Sequence, residues 1–312
     1  MAADVQPARA ARPCRRRGSP RPLAPRGGRV RGDRVTPRLS IVIPAHDEGP
    51  LVRRSLVRML RGAEPGEFEV VVVANGCQDD TAAQAAAVSG VTVVEIAEGS
   101  KIAALNAGDE RATVFPRAYI DADVELDVSA LRALAEVLSS TPSPRAAAPT
   151  LRVDATGSTL PVRCHTRIWA TSDYRSSGHV GSGVYAVNEA GRARWDAFPD
   201  VVADDRFVQL RFQPDERMTL ADESFTVHAP RDMRTLVRRG VRIELGNRQL
   251  PDGARERNRR GLLGRVARSP RLWPAFPFYV WGYILPKLIA RRRPDGPVAW
   301  DRDATLREAA RR

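Results

Sequence analysis

Polar and charged residues follow three short apolar runs in the first half of this sequence. They occupy Pro44–Glu48, Asn75–Thr81 and Asp121–Asp123. Any one of these clusters is explained by ordinary turn and helix-capping chemistry, because Asp, Asn and Gly are common in loops. Three clusters in succession, each at the end of an apolar run, indicate instead a binding site assembled at one edge of a sheet.

Asp121 and Asp123 offer two carboxylates from one short segment. Mg²⁺ and Mn²⁺ prefer oxygen ligands, and proteins often hold them with one or two carboxylates shared with substrate phosphates. We therefore predict that these two residues hold a divalent ion together with a phosphate-bearing substrate. A second Asp-x-Asp triplet, Asp301–Asp303, has no apolar run before it, and we interpret it as a solvated loop.

The elements that must position these clusters alternate between strands and helices. The predicted strands are short apolar runs rich in β-branched residues, and the predicted helices carry apolar residues at helical spacing. This alternation is typical of α/β proteins with a mostly parallel sheet, in which ligands bind beyond the carboxyl ends of the strands. The predicted strands are 39–43, 68–74, 91–96, 118–121, 147–153 and 184–187. The predicted helices are 51–60, 81–88, 101–112, one around 131–138, a helical stretch through 168–169 and one from about 205.

The chain is basic at both ends and mildly acidic between them, with a net charge of +13 overall. Residues 1–37 hold ten arginines and two aspartates, a net charge of +8. Residues 248–312 hold 16 basic and six acidic residues (+10), whereas residues 38–247 hold 24 basic and 29 acidic residues (−5). A nucleic-acid-binding fold normally carries its basic patch on the folded domain, so we predict no nucleic-acid partner.

Composition excludes two further classes of protein. With 43% hydrophobic residues, the chain has enough apolar material for a core and is not wholly disordered. Cys14, Cys77 and Cys164 are odd in number and form no Cys-x-x-Cys pair, which argues against a disulfide-stapled secreted module and favours a reducing compartment.

No secretory signal is recognisable, so we expect a cytoplasmic location. Residues 1–37 are rich in Arg, Pro and Gly without periodicity and are predicted to be a disordered tail.

Residues 272–290 form the most apolar run of the sequence. Pro274, Pro277, Pro286 and Lys287 make it a poor membrane span, and the prolines favour a broken helix. Because aromatic residues crowd into the run and arginines flank it on both sides, we predict that it lies on the inner face of the cell membrane, against anionic lipid. The alternative is a helix packed against the catalytic domain.

Four motifs together resemble the GT-A glycosyltransferases of family 2 over about residues 39–247. They are Ser40–Glu48, Asn75–Thr81, the Lys101-x-x-Ala104-Leu105-Asn106-x-Gly108 segment and Asp121–Asp123. The resemblance implies a nucleotide-diphosphosugar donor, UDP-linked in the commonest case, an Mg²⁺ or Mn²⁺ ion, and inverting transfer to a hydroxyl of a glycan or lipid-linked acceptor. Asn75 stands where the family commonly has Asp, which changes the expected nucleobase contact from a carboxylate to an amide. The donor-binding positions that the resemblance implies are Pro44, His46, Glu48, Asn75, Asp79, Lys101, Asn106, Asp121 and Asp123. The Arg239–Asn247 segment resembles the family's Q-x-x-R-W segment and adds Arg239 and Arg242, against the alternative of an exposed basic helix.

Inverting transfer needs a base that takes the proton of the acceptor hydroxyl. Asp204 and Asp205 resemble the family's acidic pair, which makes Asp205 the predicted base and Asp204 its supporting neighbour. The alternative is that either residue only caps the helix that follows. Gly181–Gly183 resembles the family's small-residue turn on the acceptor side, through Gly181, Ser182 and Gly183. His228 is a candidate third metal ligand, against the alternative of a structural histidine on a strand.

The predicted organisation is therefore a disordered tail at 1–37, a GT-A-like α/β domain at 38–247 and a basic, aromatic, membrane-associating segment at 248–312. A nucleotidyltransferase of related topology is the alternative enzyme class. It would normally have a glycine-rich phosphate loop with a basic residue near the chain start, and Pro44–Glu48 lacks one. A basic nucleic-acid or membrane-binding protein without activity is the third possibility.

Overall fold

The computed structural model describes residues 36–172, 178–250 and 259–293. The predicted tail, apart from residues 36 and 37, and the Asp301–Asp303 triplet lie outside these residues. Within the described ranges the strands are β1 (Ser40–Ala45), β2 (Glu69–Asn75), β3 (Val91–Ile96), β4 (Arg117–Ile120), β5 (Glu125–Leu126), β6 (Ala146–Asp154), β7 (Val184–Val187) and β8 (Arg217–His228). The helices are α1 (Gly49–Met59), α2 (Thr81–Ala86), α3 (Lys101–Arg111), α4 (Val128–Ser139), α5 (Leu160–Trp169), α6 (Glu189–Arg192), α7 (Asp204–Gln209), α8 (Met233–Arg248), α9 (Arg259–Ala267) and α10 (Phe276–Arg291), with 3₁₀ turns at Pro214–Glu216 and Pro270–Ala275.

The strands form one mixed sheet in the order β3-β2-β1-β4-β7-β6-β8-β5. The first four are parallel to one another, and β6 is parallel to β8. β7 runs antiparallel between β4 and β6, and β5 is antiparallel to β8 at the edge. The predicted α/β fold with a mostly parallel sheet is confirmed, and the carboxyl ends of β1, β2, β3 and β4 lie at the same edge.

Alternation along β1 explains why helices cover both faces of the sheet. Ile41 and Ile43 join the core cluster that packs under α1 and α4, whereas Val42 joins the cluster on the opposite face, under α3. Successive side chains of a strand point to opposite faces, so a strand that is apolar at every position must be buried on both. β1 continues through Pro44 to Ala45 and does not end at the proline, because its pairing with β4 stops at Val42.

A buried ionic cluster locks α3 to the sheet. Arg117 of β4 contacts the Asp109 carboxylate, and the Tyr119 hydroxyl donates to the same oxygen at 2.7 Å. Arg192 approaches the other oxygen at 2.5 Å. Asp109 and Arg117 are buried, so each charge depends on the other for compensation.

The C-terminal apolar run begins in the Pro270–Ala275 3₁₀ turn and continues as α10, which packs on α8 and α5. The predicted break does not occur at Pro286: α10 continues through it, and the proline ring packs on Gly240, where a Cβ would lie only 2.7 Å from it. His165 of α5 stacks on Tyr279 with ring centroids 5.3 Å apart. In the described part of the chain, every helix is too short or too polar to cross a bilayer.

Candidate active site

The loops that follow β1, β2 and β3 are joined at the carboxyl edge of the sheet. His46 Nδ1 lies 2.6 Å from the backbone oxygen of Asn75, and the Gly76 N–H donates to the Ile96 oxygen at 2.8 Å. The Asn75 side chain is fully buried and donates to the Ala45 oxygen at 2.8 Å, while its Oδ1 has no hydrogen-bond partner among the described residues. The first two predicted clusters therefore form one continuous wall.

Glu48 and Asp79 lie where this wall meets the N-termini of α1 and α2. The Glu48 N–H donates to Thr81 Oγ1 at 2.7 Å. Asp79 accepts from the Gly49 N–H at 3.2 Å and from the Thr81 N–H at 3.0 Å. Asp79 thus fastens the β1 loop to the β2 loop, and Glu48, which is buried, lies on the same seam.

Lys101 is the central cation of the site. It opens α3, where the Ser100 side chain caps the helix by accepting from the Ala103 N–H. Its ammonium lies 2.8 Å from Asp121 Oδ1, at the end of β4, and 2.9 Å from Asp204 Oδ1, at the start of α7. One side chain therefore connects the predicted donor-site aspartate to the predicted acidic pair, although 83 residues separate those two aspartates along the sequence (Asp121 to Asp204).

Burial and neighbouring charges together change the pKa values of Asp204 and Lys101. Asp204 is 3% exposed, and burial raises its pKa to about 6, with the Lys101 charge opposing the rise and the Asp205 and Asp121 charges adding to it. The Tyr185 hydroxyl donates to Asp204 Oδ2 at 3.2 Å. Burial lowers the pKa of Lys101, but Asp121 and Asp204 outweigh that effect and leave the pKa of Lys101 above its ordinary value, so the ammonium stays charged.

The Gly181–Gly183 turn lies between Asp121 and Asp205. All three residues have positive φ, at 137°, 61° and 107° in chain order. The Ser182 N–H donates to Asp205 Oδ2 at 2.9 Å, and the Asp121 N–H donates to the Gly183 oxygen at 2.8 Å. A Cβ on Gly181 would lie 2.8 Å from the Asp205 Cβ, so only glycine fits there.

Asp205 is half-buried, in contrast to Asp204 beside it. Its Oδ1 accepts from the Arg206 N–H at 2.7 Å and its Oδ2 from the Ser182 N–H. Both bonds come from the backbone and fix the orientation of the carboxylate. The stretch just before the pair packs on α8, where a Cβ on Gly246 would lie 3.0 Å from the Val202 Cβ.

The predicted metal ligands occupy different surroundings. Asp123 is half-buried and makes no hydrogen bond or ion pair with the described residues, whereas Asp121 contacts Lys101. His228 lies between two other carboxylates, with Nε2 3.2 Å from Glu125 and Nδ1 3.4 Å from Asp154. The ligand atoms of Asp121, Asp123 and His228 do not converge as a three-residue group. Two carboxylates on one strand end still fit a hard divalent ion that shares its remaining positions with phosphate and water.

Another set of possible ligand atoms lies in the loops after β1 and β2. Atoms of Asp47, Cys77 and Asp79 lie within 4.8 Å of one another. Asp47 accepts from the Gln78 N–H at 2.7 Å and Asp79 from the Gly49 and Thr81 N–H groups, so loop hydrogen bonds already engage both carboxylates. Burial raises the pKa of the Cys77 thiol. No spacing in the sequence marks these three residues as a group of ligands.

Four further predicted donor-site residues lie in other surroundings: Asn106 on α3, Arg239 and Arg242 on α8, and Pro44 in β1. Asn106 exchanges two hydrogen bonds with the Phe198 backbone, at 3.1 and 2.8 Å, and so holds the segment before α7 against α3. Arg239 is exposed and Arg242 half-buried on α8, and Pro44 is buried within β1. Their ligand-binding roles stay predictions.

Two residues of the site escaped the sequence analysis. Tyr185 belongs to a strand whose apolar pattern suggested only core packing, and burial raises its pKa well above the ordinary value. His179 is buried just before the glycine turn, with Nε2 3.0 Å from Ser182 Oγ. No motif in the sequence marks either one.

Comparison with known proteins bears on the family and the fold of this chain. Residues 40–178 match the family described as glycosyl transferase family 2. No curated protein matches the chain in sequence. The chain resembles the solved mannosyltransferase PcManGT from Pyrobaculum calidifontis in complex with GDP-Man and Mn²⁺, at 19% identity and a TM-score of 0.54, over 88% of this chain and 80% of that one. S. aureus TarS 1–349 in complex with UDP-GlcNAc is 13% identical with a TM-score of 0.46, over 78% and 79% of the two chains. The family match over residues 40–178 supports a glycosyltransferase of family 2, and the shared fold is a GT-A-like α/β fold.

Proposed function

We propose that this enzyme transfers a sugar from a nucleotide-diphosphosugar to a hydroxyl of a glycan or lipid-linked acceptor, with inversion. The observation that carries the proposal is the bridge from Asp121 through Lys101 to Asp204, one residue before Asp205. It brings a cation and carboxylates suited to a diphosphate together with a carboxylate suited to deprotonating an acceptor. A nucleotidyltransferase needs the cation and carboxylates for the phosphates, but it does not need the carboxylate that would deprotonate an acceptor.

On the donor side, Asp121 and Asp123 would hold an Mg²⁺ or Mn²⁺ ion. Such an ion, when bound, would neutralise charge on the departing diphosphate. Lys101 stays charged and adds a fixed cation next to the same position. The mannosyltransferase with the related fold was solved with GDP-Man and Mn²⁺, which supports testing a guanine as well as a uracil nucleotide.

For the nucleobase, Asn75 supplies an acceptor in Oδ1, which lacks a partner in the described chain. Its amide nitrogen is already committed to the Ala45 oxygen. An acceptor at this position suits the N–H of uracil or guanine, so Asn75 is the residue at which we expect the choice of base to be read. Because the side chain is fully buried, that contact requires the β1 and β2 loops to part.

On the acceptor side, Asp205 is the proposed general base. It takes the proton of the acceptor hydroxyl while the new bond forms between that oxygen and the anomeric carbon. The bond from that carbon to the diphosphate breaks on the opposite face. Asp205 is half-exposed, whereas Asp204 is sealed by Lys101 and Tyr185, so accessibility favours Asp205 even though burial raises the pKa of Asp204.

The test is nucleoside-diphosphate release from GDP-mannose, UDP-GlcNAc and UDP-glucose, with Mn²⁺, Mg²⁺ or chelator, followed by NMR of the anomeric configuration of the product. Asp205→Asn should lower turnover roughly 10²–10⁴-fold with little change in donor affinity. Asp215→Asn, an exposed aspartate of the Pro214–Glu216 turn, is the matched control. Full turnover in Asp205→Asn, or retention of configuration, would contradict the proposed mechanism.

We also propose that the C-terminal region rests on the inner face of the cell membrane. Packing of α10 leaves Trp281, Ile284 and Leu288 about half exposed, at 50%, 45% and 47%, and their spacing places them on one face of the helix. Trp273 is 57% exposed just before α10, and the exposed residues 291–293 (Arg-Arg-Arg) end it. An apolar stripe next to basic residues is the pattern that favours an anionic lipid surface.

Sedimentation with vesicles tests this proposal. The full chain should pellet with phosphatidylglycerol-containing vesicles and much less with pure phosphatidylcholine, and high salt should release it. Trp281→Ser with Ile284→Ser should weaken binding, whereas Val57→Ser, which removes a similarly exposed apolar side chain on α1, should not. Equal binding of all variants, or no binding by the full chain, would refute a role for α10.

A further inference from the structure

Ser182 adopts a backbone conformation that its side chain makes unfavourable. Its φ of 61° lies in the left-handed region, where glycine is the usual residue, and both of its neighbours are glycines. Such a conformation persists in a non-glycine residue only where the surroundings impose it. A serine in the middle of this turn therefore indicates that the hydroxyl is used.

The hydroxyl of Ser182 meets the ring of His179. The two groups are 3.0 Å apart, and His179 is 8% exposed, so water competes little for this hydrogen bond. His179 also lies next to Val180, which is fully buried in the core cluster under α7. The imidazole is therefore held by the fold, and the serine is held by the imidazole.

The backbone of the same serine holds Asp205. Its N–H donates to Asp205 Oδ2 at 2.9 Å, and among the described residues the other carboxylate oxygen is fixed by the adjacent Arg206 N–H. A rotation of the Ser182 peptide would withdraw the first bond and free the Asp205 carboxylate to turn. The orientation of the carboxylate thus depends on the conformation of the turn.

We infer that His179 is a positioning residue for the glycosyl transfer, acting through Ser182 on the carboxylate of Asp205. This role rests on the proposed function of Asp205 as the base. His179 touches no reacting atom in this arrangement. It selects the turn conformation in which the Ser182 N–H points at Asp205.

The kinetic test compares His179→Ala, His179→Gln and Ser182→Ala by nucleoside-diphosphate release from GDP-mannose and UDP-GlcNAc with Mn²⁺. His179→Ala and Ser182→Ala should each lower kcat about 10- to 100-fold with donor KM unchanged, since small displacements of a catalytic group cost that much. His179→Gln should recover most of the activity, because its amide reaches the position of the imidazole Nε2. Ser158→Ala, which removes a hydroxyl bonded to the Pro230 oxygen at 2.8 Å, is the matched control and should remain fully active.

Combined variants separate this role from general damage to the fold. The His179→Ala/Ser182→Ala double variant should be no slower than either single variant, because both remove one linkage. Multiplied losses, or no recovery with His179→Gln, would overturn the inference. In an Asp205→Asn background, His179→Ala should cause no further loss. Full activity of Asp205→Asn would refute the base itself, whereas an inactive Asp205→Asn with a fully active His179→Ala would refute only the role of His179.

A crystal structure of the His179→Ala protein gives a readout that does not depend on donor choice. We expect the Ser182 N–H to move beyond hydrogen-bond distance of Asp205, with the nitrogen more than about 3.5 Å from Oδ2. The Ser182→Ala structure should show the same change. If the turn and Asp205 stay in place in both variants, His179 does not position the carboxylate.

Discussion

The raised pKa of Asp204 makes a measurable prediction for stability as a function of pH. Asp204 has a pKa of about 6 in the folded chain against an ordinary value of 3.8. The folded state therefore holds this proton more tightly than the unfolded state does. The stability that this tighter proton binding contributes is fully present below pH 3.8 and is lost as the pH rises through 6. At about 1.4 kcal/mol for each pH unit, the loss is about 3 kcal/mol.

The assay is urea unfolding of the full chain and of Asp204→Asn at intervals between pH 4 and pH 7.5. Other carboxylates titrate in this range, so the informative quantity is the difference in the free energy of unfolding between the two proteins. Relative to Asp204→Asn, the wild-type chain should lose about 2 kcal/mol between pH 4 and pH 7, because at pH 4 the unfolded chain's Asp204 is already more than half ionised. Asp215→Asn should follow the wild type at every pH, because Asp215 is exposed.

Lys101 limits the stability that the chain loses as Asp204 ionises. Its ammonium opposes the rise in the Asp204 pKa, so removing it in Lys101→Met should raise the pKa of Asp204 further and shift the loss to higher pH. Parallel curves for the wild type and Asp204→Asn would refute the reasoning, since they would mean that Asp204 titrates alike in the folded and unfolded states.

Three further predictions concern single residues. Asp123→Ala should abolish metal-dependent binding of GDP-mannose or UDP-GlcNAc in calorimetry and leave the melting temperature unchanged; equal donor binding in excess chelator would contradict this. Asp109→Ala should lower the free energy of unfolding by about 3–5 kcal/mol in urea, because Arg117 would stay buried without its carboxylate; a loss below about 1 kcal/mol would show that the cluster is not essential. Gly181→Ala should lower turnover far more than Gly157→Ala, since the added Cβ meets Asp205 at position 181 and nothing within 4 Å at position 157; similar activities would refute the close approach of the turn to Asp205.

Much of the fold could be predicted from the sequence because its signals are local. The strands β1 to β4 are short apolar runs whose neighbours are helices of clear periodicity, so their order and parallel pairing follow from general rules. The break expected at Pro286 does not occur, because packing of the proline ring on Gly240 compensates for the backbone hydrogen bond that proline cannot donate. No local pattern in the sequence reveals that contact.

The site could be predicted only in its parts. Each cluster at a strand end was recognisable from residue type, but the contact of Lys101 with both Asp121 and Asp204 joins segments far apart in the chain. The same is true of Tyr185 and His179, whose roles come from partners that only the tertiary fold supplies. Residue type indicates what a side chain can do, while the three-dimensional fold decides which groups it meets.

The position of α8 between α10 and the acidic pair ties events at the two places together. One end of α8 packs on Val202, two residues before Asp204, and its middle packs on Pro286. Any change that tilts α10, whether a contact with a surface or a substitution at the helix seam, must either distort α8 or be transmitted to the segment that carries Asp204 and Asp205. Sensitivity of turnover to what lies against α10 would then arise from ordinary packing, without a separate regulatory domain.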